Sequence, residues 1–414
     1  MMSLPKFRDS MKPLRSRLAM SILGCLMLCL AVGAVAWHVY AGRFSSARII
    51  AECSKVSYGV KALCYTNRIN DVLAHKGLKS ALDLVAASYT ADPDVIKFCH
   101  SNMHDLGGAA YKEFERTGKV DITSGASYCG YGFYHGFMTE MLAETGSLQE
   151  ASTFCAYVGK QIGGEQVYAE GSCYHGIGHG VTDGTDPDLW GDAEKIAAPG
   201  LTLCRTIGKT DEFAMRCASG VFNAIALMYK DPQYKLNAHN DPYALCRTVS
   251  YTGNEKRACF DQMNSLAFNV AGRDLKNALR YAAAISDAFY RQIAIQGLAG
   301  LEYTTPPMPT AADGVSACAT LSGDNWVSCM RGLVNGFMEY GTPGAEYADA
   351  LQFCTKVILP SAQRRVCFDQ VARYAQGIYS PSEQKMICGR IPSDMTPLSC
   401  EQYLTVETGS QHTI

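Results

Sequence analysis

Hydrophobic positions along the chain fall into two kinds of pattern. From Leu18 to Tyr40 they form one run of 23 residues without a charged side chain. Further along, stretches rich in Ala and Leu, such as 264–301, contain no proline, while Pro and Gly gather between stretches, as at Thr305-Pro306-Pro307. Such stretches are typical of helices, and no comparable run alternates Val, Ile and aromatic residues as strands do. The sequence therefore predicts an all-α protein.

The first apolar run is long enough to cross a membrane, because a helix needs roughly 20 residues to do so. Five basic residues and a single acidic one precede it. This arrangement predicts a cytoplasmic basic segment at 1–17, a transmembrane anchor at 18–40 and an extracytoplasmic domain at 45–414. The membrane is then a partner, and the domain lies in the periplasm at a bacterial inner membrane or in an equivalent oxidising space. The alternative is a cleaved signal peptide, since Ala34-Val35-Ala36 fits a cleavage site.

Eighteen cysteines are the strongest compositional signal. Two of them, Cys25 and Cys29, lie in the apolar run, and the other sixteen form successive couples. Six of the eight couples are 11 to 13 residues apart, which indicates disulfides between sequence neighbours in an oxidising compartment. The predicted couples are Cys53 with Cys64, Cys99 with Cys129, Cys155 with Cys173, Cys204 with Cys217, Cys246 with Cys259, Cys318 with Cys329, Cys354 with Cys367, and Cys388 with Cys400.

The couples mark an internal repeat. The segment from Cys129 to Gly136 can be laid over the segment from Cys173 to Gly180, and both have Gly three residues and His six residues after the cysteine. Cys217 and Cys259 continue the series at spacings of 44 and 42 residues. A period of this size predicts stacked helical hairpins, each closed by one disulfide. This form resembles tetratricopeptide-like helical solenoids in architecture only, because the cysteines are not part of that signature.

Five of the nine histidines fall within 80 residues of the chain, in a predicted site at 95–185, and they are His100, His104, His135, His175 and His179. Two pairs have the i, i+4 spacing that places both rings on one helical face, and His135 and His179 are equivalent positions of adjacent repeats. Neutral imidazole is the commonest metal ligand, so the five predict a transition-metal site of zinc, copper or iron. Two alternatives are metal-free acid–base or ligand-binding work and structural histidines that bridge helices.

Several polar groups are expected near this site. We expect Asp105 and Glu113 to orient the ligands, and Tyr134, Tyr174 and Asn223 to line a substrate groove. For the tyrosines, packing between helices is an equally good interpretation. Asn223 belongs to a polar row six residues after each second cysteine, and hydrogen bonds between repeats are the alternative role for the Asn, Ser and Gln members of that row.

The net charge argues against nucleic acid as a partner. The formal charge is −2, so the chain lacks the broad basic surface that nucleic acid binding needs. The sequence predicts an anchored, metal-dependent enzyme, either an oxidoreductase or a hydrolase, without identifying its catalytic residues. The alternative is an interaction scaffold whose solenoid groove binds a peptide or a membrane complex, with structural histidines. Metal storage or delivery is a third interpretation.

Overall fold

We describe the protein from a computed structural model that covers residues 42–164, 168–183, 186–301 and 311–397, together with Met27 and Cys400. The chain divides between Ser57 and Tyr58 into two compact units. In the first unit, the described part includes helix α1 (Ser46–Cys53), which Ser45 caps by accepting a hydrogen bond from the Arg48 amide. All helices named below belong to the second unit.

The described residues are helical and contain no strand, which confirms the predicted all-α class. The helices of the second unit are α2 (Tyr58–Lys76), α3 (Leu78–Ala91), α4 (Cys99–Thr117), α5 (Tyr128–Thr145), α6 (Leu148–Ile162), α7 (Ala169–Asp183), α8 (Ala193–Ile207), α9 (Asp211–Met228), α10 (Gly253–Gln262), α11 (Asn264–Val270), α12 (Leu275–Ala283), α13 (Ala288–Leu301), α14 (Ala311–Cys318), α15 (Gly323–Tyr340), α16 (Glu346–Lys356), α17 (Ser361–Ile378) and α18 (Pro381–Gly389).

The predicted transmembrane anchor at 18–40 lies, apart from Met27, outside the described residues. Among the residues that the structure does describe, no helix combines the length and the hydrophobicity needed to span a bilayer. The anchor, and the signal peptide that is its alternative, therefore stay predictions.

The helical repeats are confirmed, and they form an inner and an outer row. The inner helices α4, α5, α7 and α9 pack each against the next, and α10, α13, α15 and α17 continue the same row. The shorter outer helices, such as α6 and α8, fill the spaces behind adjacent inner helices. One helix of the inner row, α13, contains no cysteine and packs between α10 and α15.

Glycines bring the inner helices into backbone contact. A Cβ atom at Gly136 on α5 would lie 1.9 Å from the His104 carbonyl oxygen on α4, and one at Gly220 on α9 would lie 1.9 Å from the His175 carbonyl oxygen on α7. At Gly176 the corresponding distance to the Tyr134 carbonyl oxygen is 2.4 Å. Because no side chain fits at these points, neighbouring helices run parallel at close range, and equivalent repeat positions lie side by side.

Seven disulfides join the cysteines that the spacing paired, from Cys99–Cys129 to Cys388–Cys400. Most of these link an outer helix, or the turn before an inner helix, to the inner helix that follows. Cys99–Cys129 differs, because it joins the first turns of the inner helices α4 and α5. Cys53 and Cys64 are disulfide-bonded as well, and their pairing with each other stays a prediction.

Late helices of the second unit also contact early ones, which an open solenoid does not predict. Helix α15 packs against α5, and Tyr89 on α3 donates a hydrogen bond to the carbonyl oxygen of Tyr340 at the end of α15. A Cβ atom at Gly377 on α17 would lie within 1.9 Å of the Tyr168 ring, just before α7. Side chains that face inward from distant repeats therefore share one interior region.

Candidate metal centre

The structure brings all five predicted histidines together. His100 and His104 lie on α4, His135 on α5, and His175 and His179 on α7. Their ring centroids form a continuous cluster, with distances of 4.9 Å between His104 and His135 and 4.4 Å between His135 and His179. The glycine contacts described above make this possible, because they bring three parallel helices close enough for their imidazoles to meet.

Two groups of three histidines have ligand nitrogens within 4.8 Å of one another. One group is His100, His104 and His135, the other is His135, His175 and His179, and His135 belongs to both. Nitrogens that bind one tetrahedral zinc ion at about 2.05 Å lie roughly 3.4 Å apart. The 3.0 Å between His135 Nδ1 and His104 Nε2 is already close to that spacing.

Hydrogen bonds to protein acceptors fix the orientation of three of the rings. His100 Nδ1 donates to the Cys129 carbonyl oxygen at 2.8 Å, and His179 Nε2 donates to Asn223 Oδ1 at 2.7 Å. His175 Nδ1 lies 2.6 Å from Ser219 Oγ, whose proton is already donated to the Arg216 carbonyl oxygen. His175 Nδ1 must therefore carry the proton. Oriented imidazoles of this kind are characteristic of metal ligands.

An unusual turn supplies the acceptor for His100. Cys129, Gly130 and Tyr131, at the start of α5, have φ angles of 55°, 70° and 64° in succession. The left-handed conformation costs roughly 1 to 2 kcal/mol for a residue with a Cβ atom, so this conformation must be compensated by its surroundings. In this conformation the Cys129 carbonyl oxygen points at His100 and accepts its hydrogen bond. Tyr131, in the same turn, lines a cavity described below.

Burial favours the neutral form of the imidazoles, which is the form that binds metals. His135 and His179 are 4% and 2% exposed. Burial lowers the pKa of His100, His135 and His175, and it lowers the pKa of His104 to about 3. The charge of neighbouring imidazoles lowers these pKa values further, because two nearby imidazolium ions repel each other. These four imidazoles are thus held neutral at physiological pH, as metal binding requires.

The residues expected around the cluster differ in where the structure places them. Asn223 contacts His179 directly, as described above. Glu113 is half-buried and paired with Arg116, Asp105 is exposed and accepts a hydrogen bond from Thr66, and neither carboxylate has a described contact with the histidines. Tyr134 and Tyr174 are fully buried, and the Tyr174 ring stacks on the Phe213 ring at 4.7 Å. This contact is the packing between helices that was the alternative interpretation of the tyrosines. Residues close in sequence to a ligand face other directions when they lie on another side of the helix.

Sequence reasoning missed Ser219, although the repeat period could have found it. The hydrogen bond from His175 to Ser219 and the one from His179 to Asn223 each span 44 residues, which is the spacing between adjacent repeats. Each ligand on α7 is therefore oriented by the residue at its own position one repeat later. Asn223 in turn donates to Gln262 Oε1 at 2.8 Å.

The polar row, six residues after each second cysteine, also forms hydrogen bonds between repeats elsewhere in the chain. Gln370 donates to Asn335 Oδ1 at 2.7 Å, at the same two repeat positions where Asn223 donates to Gln262, and no histidine takes part in this bond. Hydrogen bonding between repeats is therefore one role of the Asn members of this row. Asn223 differs because its carbonyl oxygen accepts a hydrogen bond from His179, a histidine of the candidate metal centre.

A second set of titratable groups was not predicted as a unit. We call it the polar cluster, and it comprises Tyr131, Arg216, Asp261, Glu339 and Tyr374, which interact electrostatically with one another. Burial raises the pKa of Glu339 to about 7, although a 2.5 Å hydrogen bond from Tyr374 Oη and the charge of Arg216 oppose the rise. The guanidinium of Arg216 also contributes to the lowered pKa of His175, after burial and the charge of His179. The polar cluster therefore adjoins the histidines.

Arg216 is incompletely satisfied within the polar cluster. Its guanidinium lies over the Tyr168 ring at 5.0 Å, and its buried Nε has no hydrogen-bond partner among the described residues. No ion pair to Arg216 is present in the part of the chain that the structure describes. A guanidinium with a buried, unused donor is suited to bind an anionic or carbonyl group.

A cavity of about 400 Å³ borders the polar cluster. Tyr131 and Glu339 belong to its wall, together with Tyr128, Glu346, Tyr379 and Glu383. Burial raises the pKa of Glu346 to about 7 as well, against a hydrogen bond that Tyr379 donates at 3.0 Å. A cavity of this volume accommodates a small organic molecule.

No known protein family, curated protein or solved structure matches this chain. The histidine groups and the disulfides fit an extracytoplasmic metal-binding protein.

Proposed function

We propose that the protein is an extracytoplasmic metalloenzyme in which the five histidines bind a transition metal, zinc, copper or iron. The observation that carries this proposal is the pair of three-histidine groups within 4.8 Å, whose rings are oriented by hydrogen bonds to protein acceptors. A set of ligands made only of imidazoles favours these metals over magnesium or calcium, which prefer oxygen.

Hydrolysis is the reaction class that the neighbouring groups favour. A bound metal ion with an open position polarises a substrate oxygen or lowers the pKa of a bound water molecule. A carboxyl group with a pKa near 7, such as Glu339, is suited to accept and return a proton at physiological pH. Arg216 would hold the anionic or carbonyl group of the substrate, since its Nε is unused.

We also propose a location for the protein, in an oxidising compartment and at the membrane that borders it. The seven disulfides favour an oxidising space, and the apolar run at 18–40 would attach the protein to the membrane that borders it. In a bacterium these are the periplasm and the inner membrane. A protein or peptide partner that binds along the repeats is a further proposal, and it does not exclude the enzyme.

Metal analysis of the purified full-length chain tests the proposal first. We expect stoichiometric zinc, copper or iron by mass spectrometry, and at least tenfold lower occupancy in His179→Ala. His75→Ala is the control, because His75 is exposed and bonded to the Asp71 carbonyl oxygen of its own helix. A wild-type chain without metal, or equal uptake by wild type and His179→Ala, would refute the metal centre.

The enzymatic part needs its own assay. We expect slow hydrolysis of 4-nitrophenyl acetate or 4-nitrophenyl phosphate that a chelator abolishes and that Glu339→Gln reduces at least tenfold. If the protein holds metal but neither ester is hydrolysed in a metal-dependent way, the hydrolase assignment fails and the metal centre remains.

A further inference from the structure

The cavity beside the polar cluster has a wall with charges of one sign. Among the described residues, the charged side chains that line it are all glutamates, Glu339, Glu346 and Glu383. The other polar side chains of the wall are serine and tyrosine hydroxyls, which are neutral at physiological pH. Two segments of the second unit form the wall, 124–131 and 338–383. A cavity with such a wall attracts a cation and repels an anion.

Two of the three glutamates lack a cation as partner. Glu346 accepts hydrogen bonds from Tyr379 Oη and from the Gly344 amide, both at 3.0 Å, and both donors are neutral. Neither Glu346 nor Glu339 forms an ion pair in the part of the chain that the structure describes. Burial therefore raises the pKa of both to about 7. Glu383 differs, because its carboxylate closes the capping box of α18.

Tyrosine rings accompany these carboxylates in the wall. They belong to Tyr128, Tyr131 and Tyr379. Burial raises the pKa of Tyr128 and Tyr131, and the charge of Glu346 contributes to both rises, so the two hydroxyls lie near that carboxylate. The electron-rich face of an aromatic ring attracts cations, and cages of such rings recognise quaternary ammonium groups. The rings and the carboxylates therefore favour the same class of ligand.

We propose that this cavity binds a small organic cation through its ammonium group. The group would be held by the carboxylates of Glu339 and Glu346 and by the rings of Tyr128, Tyr131 and Tyr379. A volume of about 400 Å³ fits a molecule of several heavy atoms rather than a bare metal ion. The proposal does not depend on the metal centre, because no histidine of that centre lines the cavity.

Choline and its uncharged isostere 3,3-dimethylbutan-1-ol test the proposal directly. Isothermal titration calorimetry is done on the full-length chain in a non-ionic detergent, with a chelator present so that the metal centre has no influence. At pH 8 both carboxyls are ionised, because their pKa is about 7. We expect the wild type to bind choline at least about tenfold more tightly than the alcohol, since the two molecules differ only in charge.

Variants locate the binding in this cavity. Glu346→Gln keeps the shape of the side chain and removes its charge, so it should lower choline affinity at least about tenfold. Tyr128→Leu should lower it severalfold, whereas Tyr128→Phe, which keeps the ring, should bind choline as the wild type does. Glu113→Gln is the control, because Glu113 is paired with Arg116 and does not line the cavity.

Three results would overturn the cation site. They are no binding of choline by the wild type, equal affinities for choline and the alcohol, and unchanged choline affinity in Glu346→Gln. The first two are decided on the wild type, even if a variant fails to fold.

A second arm separates the two sources of an ammonium group, a soluble molecule and a lipid headgroup. Displacement of choline by phosphatidylcholine vesicles, but not by phosphatidylglycerol vesicles, would support the headgroup. Binding of choline that neither kind of vesicle displaces would support the soluble molecule. Both results support the proposed site, since the recognised chemistry is the same.

Discussion

At the scale of single residues, the orientation of the ligands matters as much as their identity. An imidazole binds a metal only when the correct nitrogen is unprotonated, and a hydrogen bond at the far nitrogen sets that tautomer. The Cys129 carbonyl oxygen, Ser219 and Asn223 have this role for His100, His175 and His179. The described acceptors are neutral groups from the backbone and from the next repeat, whereas carboxylates were expected.

Asn223→Ala should weaken metal binding. The substitution removes the acceptor for His179 Nε2, so the ring can adopt the wrong tautomer and orientation. Loss of such a partner typically costs 10- to 100-fold in metal affinity. The affinity can be measured by competition with a chromophoric chelator.

Asn335→Ala is a matched control for this prediction. Asn335 occupies the equivalent repeat position and loses a similar hydrogen bond, from Gln370 at 2.7 Å, but it has no described contact with a histidine. Metal affinity should be unchanged in this variant. Equal losses in the two variants would show that Asn223 acts through helix packing rather than on His179.

Glu339 should make the stability of the protein depend on pH. Its pKa is about 7 in the folded chain against 4.5 for a free carboxyl, so the folded state binds the proton more tightly. The stabilisation is complete below the unfolded pKa and is lost as the pH rises through about 7. The free energy of unfolding of the wild type, relative to Glu339→Gln, should therefore fall between pH 5 and pH 8.

Denaturant titrations of the metal-free protein at several pH values measure this difference. The comparison between variants cancels the histidines, whose lowered pKa values act in the opposite direction below pH 6.5. Glu113→Gln alters an exposed carboxylate and is the control. A difference between the wild type and Glu339→Gln that is constant with pH would contradict the prediction.

At the scale of helices, glycine determines the geometry of the centre. Isolated glycines inside a helix lower its stability, by roughly 1 kcal/mol relative to alanine. Here they permit carbonyl oxygens of one inner helix to approach the Cα atoms of the next, at Gly136, Gly176 and Gly220. The cost to each helix is offset by contacts between helices, and the histidines depend on that closeness.

Gly136→Ala should disturb both stability and metal binding. The new Cβ atom would lie 1.9 Å from the backbone oxygen of His104, so α4 and α5 must move apart. Overpacking of this kind costs about 1 to 3 kcal/mol, and the movement separates His104 from His135. Chemical denaturation and chelator competition measure the two effects.

Gly300→Ala tests the same substitution where there is room. Gly300 lies on α13 in the inner row, and a Cβ atom there would be 3.4 Å from the Gly332 carbonyl oxygen, an ordinary contact. Stability should change by less than about 1 kcal/mol because helix propensity improves. Unchanged metal affinity in Gly136→Ala would show that helix spacing does not limit the site.

At the scale of the whole chain, the regular features were predictable and the exceptional ones were not. Cysteine spacing predicted the repeats and seven disulfides, and the repeat register placed His135 beside His179. Arg216 and Glu339 are 123 residues apart and carry no local motif, so their proximity required the contact between late and early helices. Registers between neighbours are encoded locally, whereas contacts between distant repeats depend on the small rotation accumulated at every unit.

Metal binding should stabilise the repeat domain as a unit. The proposed ligands lie on α4, α5 and α7, so bound metal would cross-link three consecutive inner helices. A ligand that binds only the folded state stabilises it by about 4.1 kcal/mol at 1,000 times its dissociation constant. We expect a chelator to lower the thermal unfolding midpoint of the wild type by several degrees.

His135→Gln separates this effect from other actions of the chelator. The variant removes the ligand on the middle helix, which both three-histidine groups require. Its midpoint should match that of the chelated wild type and should not fall further when the chelator is added. If the chelator lowers both midpoints equally, the stabilising ion is bound elsewhere. If it lowers neither, metal does not connect these helices, and the disulfides and the glycine contacts alone hold them in register.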